Sequence, residues 1–285
     1  MPFSPNTVSV QEVLADVLLR GEIARGGQKI VFLAESPQFG RIAVKLIQPG
    51  SDSAEKRAQR EIQVAQSIED PHFPRIFLAK KVTIDNAEVL CIYEEYLEGE
   101  PLRSALQRLG RLSARETFRI AAELVVALEI LRARDVVHRD VKPENIYLVS
   151  DGRVVLLDLG IARQLGDASL TDDYAMFGPL TPGYGAPEQI GNQKRNISSR
   201  TDIFALGVVM HECLSGQNPF VQPGDSPAQA LHNTMIIVPA RLDAVGASRQ
   251  MADIVCRSLE KSAHRRFPTP SALLRELQLC PEATQ

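Results

Sequence analysis

Apolar residues in the first part of the chain fall into short runs that are typical of strands. These runs are rich in β-branched and aliphatic residues and are separated by glycine, proline and polar residues. Between Ala54 and Glu69 the spacing changes, because apolar Ala58, Ile62 and Ala65 recur at helical intervals. The pattern predicts a twisted antiparallel sheet with one inserted helix. The predicted strands are Ile30–Ala34, Arg41–Ile47, Lys80–Ile84 and Val89–Glu94.

The second part of the chain has mainly helical spacing. Helices are predicted for Ser104–Leu109 and for Ala114–Arg134, where apolar residues recur every three or four positions. Val154–Leu157 is an exception and predicts a short strand. We therefore expect a strand-rich first lobe and a helical second lobe, with the break near Glu95 to Leu102.

Composition and charge narrow the functional classes. The chain has 285 residues, 44% of them hydrophobic and 24% charged, which is typical of a soluble globular protein. Its net charge of -3 provides no broad basic surface for nucleic acid or anionic membrane. The longest apolar run, Ile203–Met210, is too short to cross a bilayer. No basic segment followed by an apolar core is found at the N-terminus, so we expect no signal peptide and a cytoplasmic location.

Two motifs at a fixed separation carry the candidate chemistry. The first is His138-Arg139-Asp140-Val141-Lys142-Pro143-Glu144-Asn145, and Asp158-Leu159-Gly160 begins thirteen positions after its last residue. They resemble the catalytic loop and magnesium loop of the serine/threonine protein kinases, specifically the bacterial branch related to eukaryotic kinases. The resemblance runs from about Ile23 to about Leu277. It implies an α+β bilobal protein kinase fold, with a five-stranded antiparallel sheet and one helix in the N-lobe and a mainly helical C-lobe. The implied divisions are a flanking segment at 1–19, an N-lobe at 20–95 and a C-lobe at 96–285.

The resemblance implies a role for each polar residue of the two motifs. Phosphoryl transfer requires mainly that the reactants are positioned and that charge is neutralised. Asp140 would orient the acceptor hydroxyl and accept its proton, and Lys142 would steady the transferring group. Asn145 and Asp158 would hold the metal ion. A lone aspartate is more often solvated or a helix cap, but eight ordered positions with a correctly spaced second motif favour the catalytic interpretation.

Upstream residues resemble the nucleotide site of the family. Ile42-Ala43-Val44-Lys45 ends a strand-like run, and its lysine matches the one that holds the α- and β-phosphates. Glu61 lies on the predicted helix, where it matches the ion-pair partner of Lys45, although a glutamate beside Arg60 is usually just solvated. The resemblance also assigns nucleotide contacts to Gly26, Gly27, Ala43, Glu95 and Leu97.

Downstream residues resemble structural parts of the family. Thr181–Gln189 matches the end of an activation segment, so Thr181 is expected to contact the catalytic loop. Asp202 matches the residue that ties down the catalytic-loop backbone. Arg266 matches the arginine that pairs with Glu188.

The chain departs from the family pattern in the phosphate-covering loop and at the gatekeeper position. In the phosphate-covering loop only Gly26 remains of three usual glycines, and Ala24 and Lys29 replace the others. We expect Lys29 to point away from the nucleotide or to reach flexibly, with a cation beside the phosphates as the alternative. Glu94 falls at the gatekeeper position, where a buried carboxylate needs a partner. Lys45 and a backbone amide are the candidates, and a one-residue shift of the comparison is the other explanation.

Regulation is suggested by Arg139, which precedes Asp140. In the family such an arginine pairs with a phosphate on the activation segment and orders it. The candidate phosphosites are Ser169, Thr171, Tyr174 and Thr181, and we favour Thr171, whereas Thr181 fits the substrate loop better. Ser169 and Thr171 could equally be turn formers in a polar loop.

We therefore predict an ATP-dependent, non-specific serine/threonine protein kinase that transfers the γ-phosphoryl group to protein hydroxyls and autophosphorylates. ATP and Mg²⁺ are the expected cofactors, with Mn²⁺ as an alternative ion. Expected partners are protein substrates of unknown identity and a second copy of the chain for autophosphorylation; nucleic acid and a membrane span are not expected. One alternative is a pseudokinase-like nucleotide-binding scaffold, favoured by the altered glycine loop and Glu94. Another is a small-molecule phosphotransferase, against which Ala186-Pro187-Glu188 argues.

Overall fold

The computed structural model of the chain describes residues 5–26, 29–49, 62–158, 181–242 and 246–284. These residues form two compact units. The first comprises the described residues up to Glu98 together with Asp158. The second comprises Gly99–Leu157 and the described residues from Thr181 onwards.

A five-stranded antiparallel sheet forms most of the first unit. β-Branched and aliphatic residues fill its central strands, whose side chains are buried on both faces. Asp85 and Asn86 connect the last two strands and both adopt positive φ, of 49° and 64°, as a tight two-residue hairpin requires. The strands are β1 (Leu18–Arg25), β2 (Lys29–Ser36), β3 (Gly40–Ile47), β4 (Ile76–Ile84) and β5 (Ala87–Glu95), in the spatial order β1-β2-β3-β5-β4.

Two helical segments pack on this sheet. Helix α1 (Thr7–Val13) begins after Asn6, whose side chain caps it by accepting a hydrogen bond from Val8 N at 2.9 Å. Val10 and Leu14 are fully buried in the cluster beneath β-strand residues, so this flanking segment belongs to the core of the unit. Of the predicted helix at 54–69, residues 62–66 are described and helical, and their apolar side chains pack on Ile47, Leu90 and Ile92.

The second unit is mainly helical and carries a small three-stranded sheet. Strands β6 (Gly99–Pro101), β7 (Ile146–Val149) and β8 (Val154–Leu156) pair in that order. Gly99 is required at the start, because a Cβ atom there would lie 2.1 Å from the carbonyl oxygen of Leu148. The helices are α2 (Leu102–Leu109), α3 (Ala114–Arg132), α4 (Pro187–Ile190), α5 (Ser199–Ser215), α6 (Pro227–Ile236), α7 (Arg249–Ser258) and α8 (Pro270–Gln278).

Helix α5 is the core of the second unit. Every residue from Thr201 to Leu214 is buried, and the helix packs against α3 and α7. Serine or threonine side chains cap the N-termini of α3, α5, α6, α7 and α8. No helix among the described residues has the length and apolar character needed to cross a membrane.

Candidate active site

The candidate nucleotide-binding residues of the first unit share one face of the sheet. Ala43 pairs with Glu94 across β3 and β5, and Lys45 pairs with Ile92. Lys29 pairs with Ile47 across β2 and β3. Because side chains alternate between faces along a strand, Lys29, Lys45 and Glu94 project on the same side.

Lys45 is buried between two carboxylates. Its Nζ lies 3.0 Å from Oε2 of Glu94 and 2.7 Å from Oδ1 of Asp158, and its side chain is 8% exposed. Burial alone would lower the pKa of Lys45, but the charges of Asp158 and Glu94 outweigh it and raise the pKa above its ordinary value. Lys45 is therefore the partner of the Glu94 carboxylate, one of the two candidate partners that the sequence left open.

Lys29 also contacts Asp158, and its position relative to a bound nucleotide stays a prediction. Its Nζ lies 2.5 Å from Oδ2 of Asp158, the aspartate of the magnesium motif. Burial would raise the pKa of Asp158, but the charges of Lys45 and Lys29 hold it well below its ordinary range. Lys29 pairs with Ile47, which lies two residues after Lys45 on the same face of β3. The two ammonium groups are therefore close enough to reach the same carboxylate.

Other predicted nucleotide contacts lie around this face. Gly26 N donates to the carbonyl of Lys29 at 2.7 Å. Ala43 is buried on the face that carries Glu94. Glu95 ends β5, where its backbone N donates to the carbonyl of Arg75 at 2.8 Å, and Leu97 is buried two residues later. The nucleotide contacts assigned to these residues stay predictions.

The second unit gathers the predicted catalytic-loop residues around Asp140. Oδ2 of Asp140 accepts a hydrogen bond from Asn145 Nδ2 at 3.0 Å and lies 3.0 Å from Lys142 Nζ. Oδ1 accepts a hydrogen bond from the hydroxyl of Thr181 at 2.9 Å. Lys142 Nζ also donates to that hydroxyl at 3.0 Å. Thr181 thus contacts the catalytic loop as expected.

Asp202 fixes the backbone of this loop. Its two carboxylate oxygens accept hydrogen bonds from the backbone N–H groups of His138, at 2.9 Å, and Arg139, at 2.8 Å. Burial raises the pKa of Asp202 to about 7, although the same two N–H groups stabilise its charged form. Arg139 adopts a positive φ of 66°, a strained conformation that is often found at functional sites. Asp158, in the first unit, is also at positive φ, 56°.

The pair of Glu188 and Arg266 is buried as the sequence suggested. Two guanidinium nitrogens of Arg266 donate to the two carboxylate oxygens at 2.8 and 2.9 Å, and the Arg266 side chain is fully buried. Arg266 also donates to the backbone carbonyls of Arg200, Glu260 and Lys261. Such a bidentate pair orients the segment that begins at Thr181 without touching Asp140.

Sequence reasoning missed two supports of the loop. Gln189 donates from Nε2 to the carbonyl of Arg139 at 3.1 Å. Arg103 donates to Glu144 at 2.8 Å and to Glu212 at 2.6 Å, and the hydroxyl of Tyr184 donates to Glu212 as well. The two partners of each contact lie far apart in the sequence, so no local pattern could have found these hydrogen bonds.

Several predicted residues lie outside the described part of the chain. They are Gly27, Glu61, Ser169, Thr171 and Tyr174. Their assignments stay predictions.

Comparison with known proteins decides the family. A family model for the protein kinase domain matches residues 20–277. The chain belongs to the protein kinase domain family. The predicted family and fold class are therefore confirmed.

Named relatives of this kinase domain are bacterial serine/threonine-protein kinases. PknA of Corynebacterium glutamicum is 31% identical over 265 residues, which cover 91% of this chain and 55% of that protein. PknB of Mycolicibacterium smegmatis is 31% identical over 278 residues, which cover 93% of this chain and 43% of that protein. The kinase domain thus spans about half the length of these curated relatives.

The fold of this kinase domain is also found in solved structures. The crystal structure of the Mycobacterium tuberculosis PknI kinase domain superposes with a TM-score of 0.71 at 23% identity. The superposition covers 95% of this chain and 97% of that one. At this identity the likeness concerns the fold alone.

Proposed function

We propose that the chain is an ATP- and Mg²⁺-dependent serine/threonine protein kinase. The observation that carries the proposal is the arrangement around Asp140. One oxygen of its carboxylate accepts a hydrogen bond from the hydroxyl of Thr181, and the other contacts the amide of Asn145 and the ammonium group of Lys142. A serine or threonine of a protein substrate offers the same hydroxyl chemistry as Thr181. This arrangement supports transfer to such a hydroxyl.

In the proposed reaction, Asp140 orients the acceptor hydroxyl and accepts its proton as the oxygen bonds to the γ-phosphorus. The bond between that phosphorus and the β–γ bridging oxygen breaks, and ADP leaves. Lys142, which donates to the Thr181 hydroxyl at 3.0 Å, lies where it can neutralise charge on the transferring group. Asn145 holds Asp140 in position through two hydrogen bonds, at 2.9 and 3.0 Å.

The metal is proposed from the chemistry of the donors. Asp158 offers carboxylate oxygens, which suit Mg²⁺. Among the described residues, the hydrogen bonds of the Asn145 side chain use only its amide nitrogen, which leaves the amide oxygen for an ion. Bound Mg²⁺ neutralises phosphate charge, and Mn²⁺ accepts the same oxygen ligands. Lys45 is proposed to hold the α- and β-phosphates.

The proposal extends to individual nucleotide contacts, phosphorylation sites and partners. We propose nucleotide contacts for Gly26, Gly27, Ala43, Glu95 and Leu97, with Glu61 as a further partner of Lys45. Autophosphorylation is proposed at Thr171, with Ser169 and Thr181 as the other candidates, and it would use a second copy of the chain. A cytoplasmic location and protein substrates are also proposed, from the sequence and its membership of the protein kinase domain family.

The test is phosphoryl transfer by the purified chain. Wild type, Lys45→Met and Asp158→Asn are incubated with Mg²⁺, γ-labelled ATP and a generic basic protein, and the labelled amino acids are identified. We expect label on serine or threonine with wild type, and a loss of about 100-fold or more in both variants, because each removes charge that stabilises the transition state.

The matched control is Lys81→Met, which removes one lysine charge from an exposed pair with Glu88. This variant should retain wild-type activity. A wild-type chain that binds nucleotide but transfers no phosphate would overturn the proposal. Equal label in wild type and Asp158→Asn would do the same, since the activity would then belong to a contaminant.

A further inference from the structure

Lys29 stands at a position where the family pattern expects glycine, and its ammonium group contacts Asp158. Its side chain is 25% exposed, against 8% for Lys45. Lys29 is the first residue of β2, and its carbonyl accepts a hydrogen bond from Gly26 N. The contact therefore joins the phosphate-covering loop to the proposed metal ligand within the first unit.

The two lysines occupy the Asp158 carboxylate from both sides. Lys45 lies 2.7 Å from Oδ1, and Lys29 lies 2.5 Å from Oδ2. A divalent cation that binds this carboxylate must displace an ammonium group, because like charges repel strongly at such distances.

Lys29 is the ammonium group that can leave most easily. Lys45 is more deeply buried and is also held by Glu94 at 3.0 Å. Among the described residues, Lys29 forms an ion pair with Asp158 alone. Its side chain is also more exposed to solvent than that of Lys45, which lowers the cost of moving its ammonium group.

We propose that Lys29 is a second phosphate-binding lysine, which holds Oδ2 of Asp158 in the nucleotide-free protein and moves to a phosphate oxygen when metal and nucleotide bind together. The inference rests on the proposed function, because that function makes Asp158 the metal ligand and ATP the substrate. The metal-triphosphate complex carries net negative charge, so the released ammonium group gains a new partner. Lys29 thereby opposes binding of the metal alone and favours binding of the metal with nucleotide. The two ligands are coupled through one side chain.

The experiment measures binding rather than activity. Mn²⁺ affinity is measured without nucleotide, from the loss of the free-ion paramagnetic resonance signal, and the affinity for a non-hydrolysable ATP analogue is measured in the presence of Mn²⁺. The proteins are wild type, Lys29→Met, Lys29→Arg, Asp158→Asn and Lys81→Met. Lys29→Gln replaces Lys29→Met if the latter fails to give a folded protein by circular dichroism.

Lys29→Met is expected to bind Mn²⁺ alone about fivefold more tightly than wild type, and the Mn²⁺-bound analogue about fivefold more weakly, as for loss of one charge-assisted hydrogen bond at a partly exposed site. Lys29→Arg keeps the charge and should follow wild type in both measurements. Lys81→Met removes an equal charge elsewhere and should also follow wild type. Asp158→Asn should lose Mn²⁺ binding.

Three results would overturn the inference: an unchanged or weaker affinity of Lys29→Met for Mn²⁺ alone, an unchanged or tighter affinity for the analogue, or Mn²⁺ binding that survives Asp158→Asn. A protein that shows the expected pattern yet transfers no phosphate contradicts the proposed function and leaves this inference standing. A protein that transfers phosphate but lacks the expected binding changes contradicts this inference and leaves the proposed function standing.

Discussion

At the scale of single residues, the central feature of the first unit is a lysine held by two carboxylates, one of them from its own sheet. Glu94 lies on β5, the strand next to that of Lys45. It pairs with Ala43, which lies two residues before Lys45 on the same face of the sheet. Glu94 thus positions the ammonium group of Lys45. Because Asp158 also pairs with Lys45, removal of Glu94 leaves the ammonium group with a partner.

Glu94→Ala is expected to lower the free energy of unfolding by about 1–3 kcal/mol. This is less than the roughly 3–5 kcal/mol for breaking a buried pair outright, because Lys45 keeps Asp158. Urea unfolding measures the change. The matched control is Glu88→Ala on the same strand, whose exposed pair with Lys81 should contribute less than about 1 kcal/mol. Equal losses in the two variants would contradict the assignment.

Lys261 provides a prediction for pH. Burial lowers its pKa to about 8, and the nearby charge of Arg266 acts in the same direction. Below that pH both the folded and the unfolded chain carry the proton. Between about pH 8 and the ordinary value of 10.5, the unfolded chain keeps a proton that the folded chain has released, so the contribution of Lys261 to stability rises with pH.

The measurement compares wild type with Lys261→Met by chemical unfolding at several pH values. The stability of wild type relative to the variant should increase from pH 8 to pH 10. A flat or falling difference would show that Lys261 is not a costly buried charge. The ammonium group also donates to the carbonyl of Thr234 at 2.7 Å, but that hydrogen bond is absent from the variant at every pH.

The sequence was most informative where several residues shared one spacing. Asp140, Lys142 and Asn145 were found because they fall within eight positions, and the structure brings them together. The contact of Lys29 was not predicted, because its partner, Asp158, lies 129 positions away and no local pattern reports that contact. The same limit left the partner of Glu94 undecided.

At the scale of secondary-structure elements, the close crossing of α5 and α7 depends on Gly207. A Cβ atom at this position would lie 2.7 Å from Cβ of Ser258 and 3.2 Å from Cδ2 of Leu259. Both neighbours belong to or directly follow α7, so relief requires a shift of the helix itself. The absence of a side chain at Gly207 therefore sets the distance between the two helices.

Gly207→Ala is expected to destabilise the chain by up to about 2 kcal/mol, because an overpacking cost of roughly 1–3 kcal/mol is only partly offset by the helix-propensity gain of about 1 kcal/mol. Thermal and urea unfolding measure this. In double-mutant cycles, Ser258→Gly removes the nearest clashing atom and should reduce the cost of Gly207→Ala, whereas Ser258→Ala keeps that Cβ and should leave this cost unchanged. A stabilised Gly207→Ala variant would contradict the close crossing.

Strands and helices with buried faces were predicted well, and exposed ones were not. The run Arg41–Ile47 corresponds to β3, and Ala114–Arg134 corresponds to α3 with two residues fewer at its C-terminus. Strand β1 was missed because nearly all of its residues are exposed, so it lacks the alternation that marks a half-buried strand. Its place in the sheet comes from pairing with β2, which only the tertiary structure reveals.

At the scale of the whole molecule, the proposed functional residues are distributed over both units. Lys45 and Asp158 belong to the first, and Asp140 with its donors belongs to the second. Removal of the Asp140 carboxylate should therefore stop transfer without removing the nucleotide contacts proposed for the first unit. A scaffold that only held nucleotide would need Lys45 and Asp158 but would make no use of a base at Asp140.

The most direct test of the account is a paired measurement on Asp140→Asn. Intact-mass analysis after incubation with Mg²⁺ and ATP reports transfer to the chain, a basic protein reports transfer in trans, and titration with a non-hydrolysable analogue reports binding. The account predicts nucleotide affinity within about twofold of wild type and a fall in transfer rate of about 10²–10⁴-fold, the usual contribution of a general base. Transfer that survives Asp140→Asn, or a wild-type chain that binds the analogue but never transfers phosphate, would contradict it.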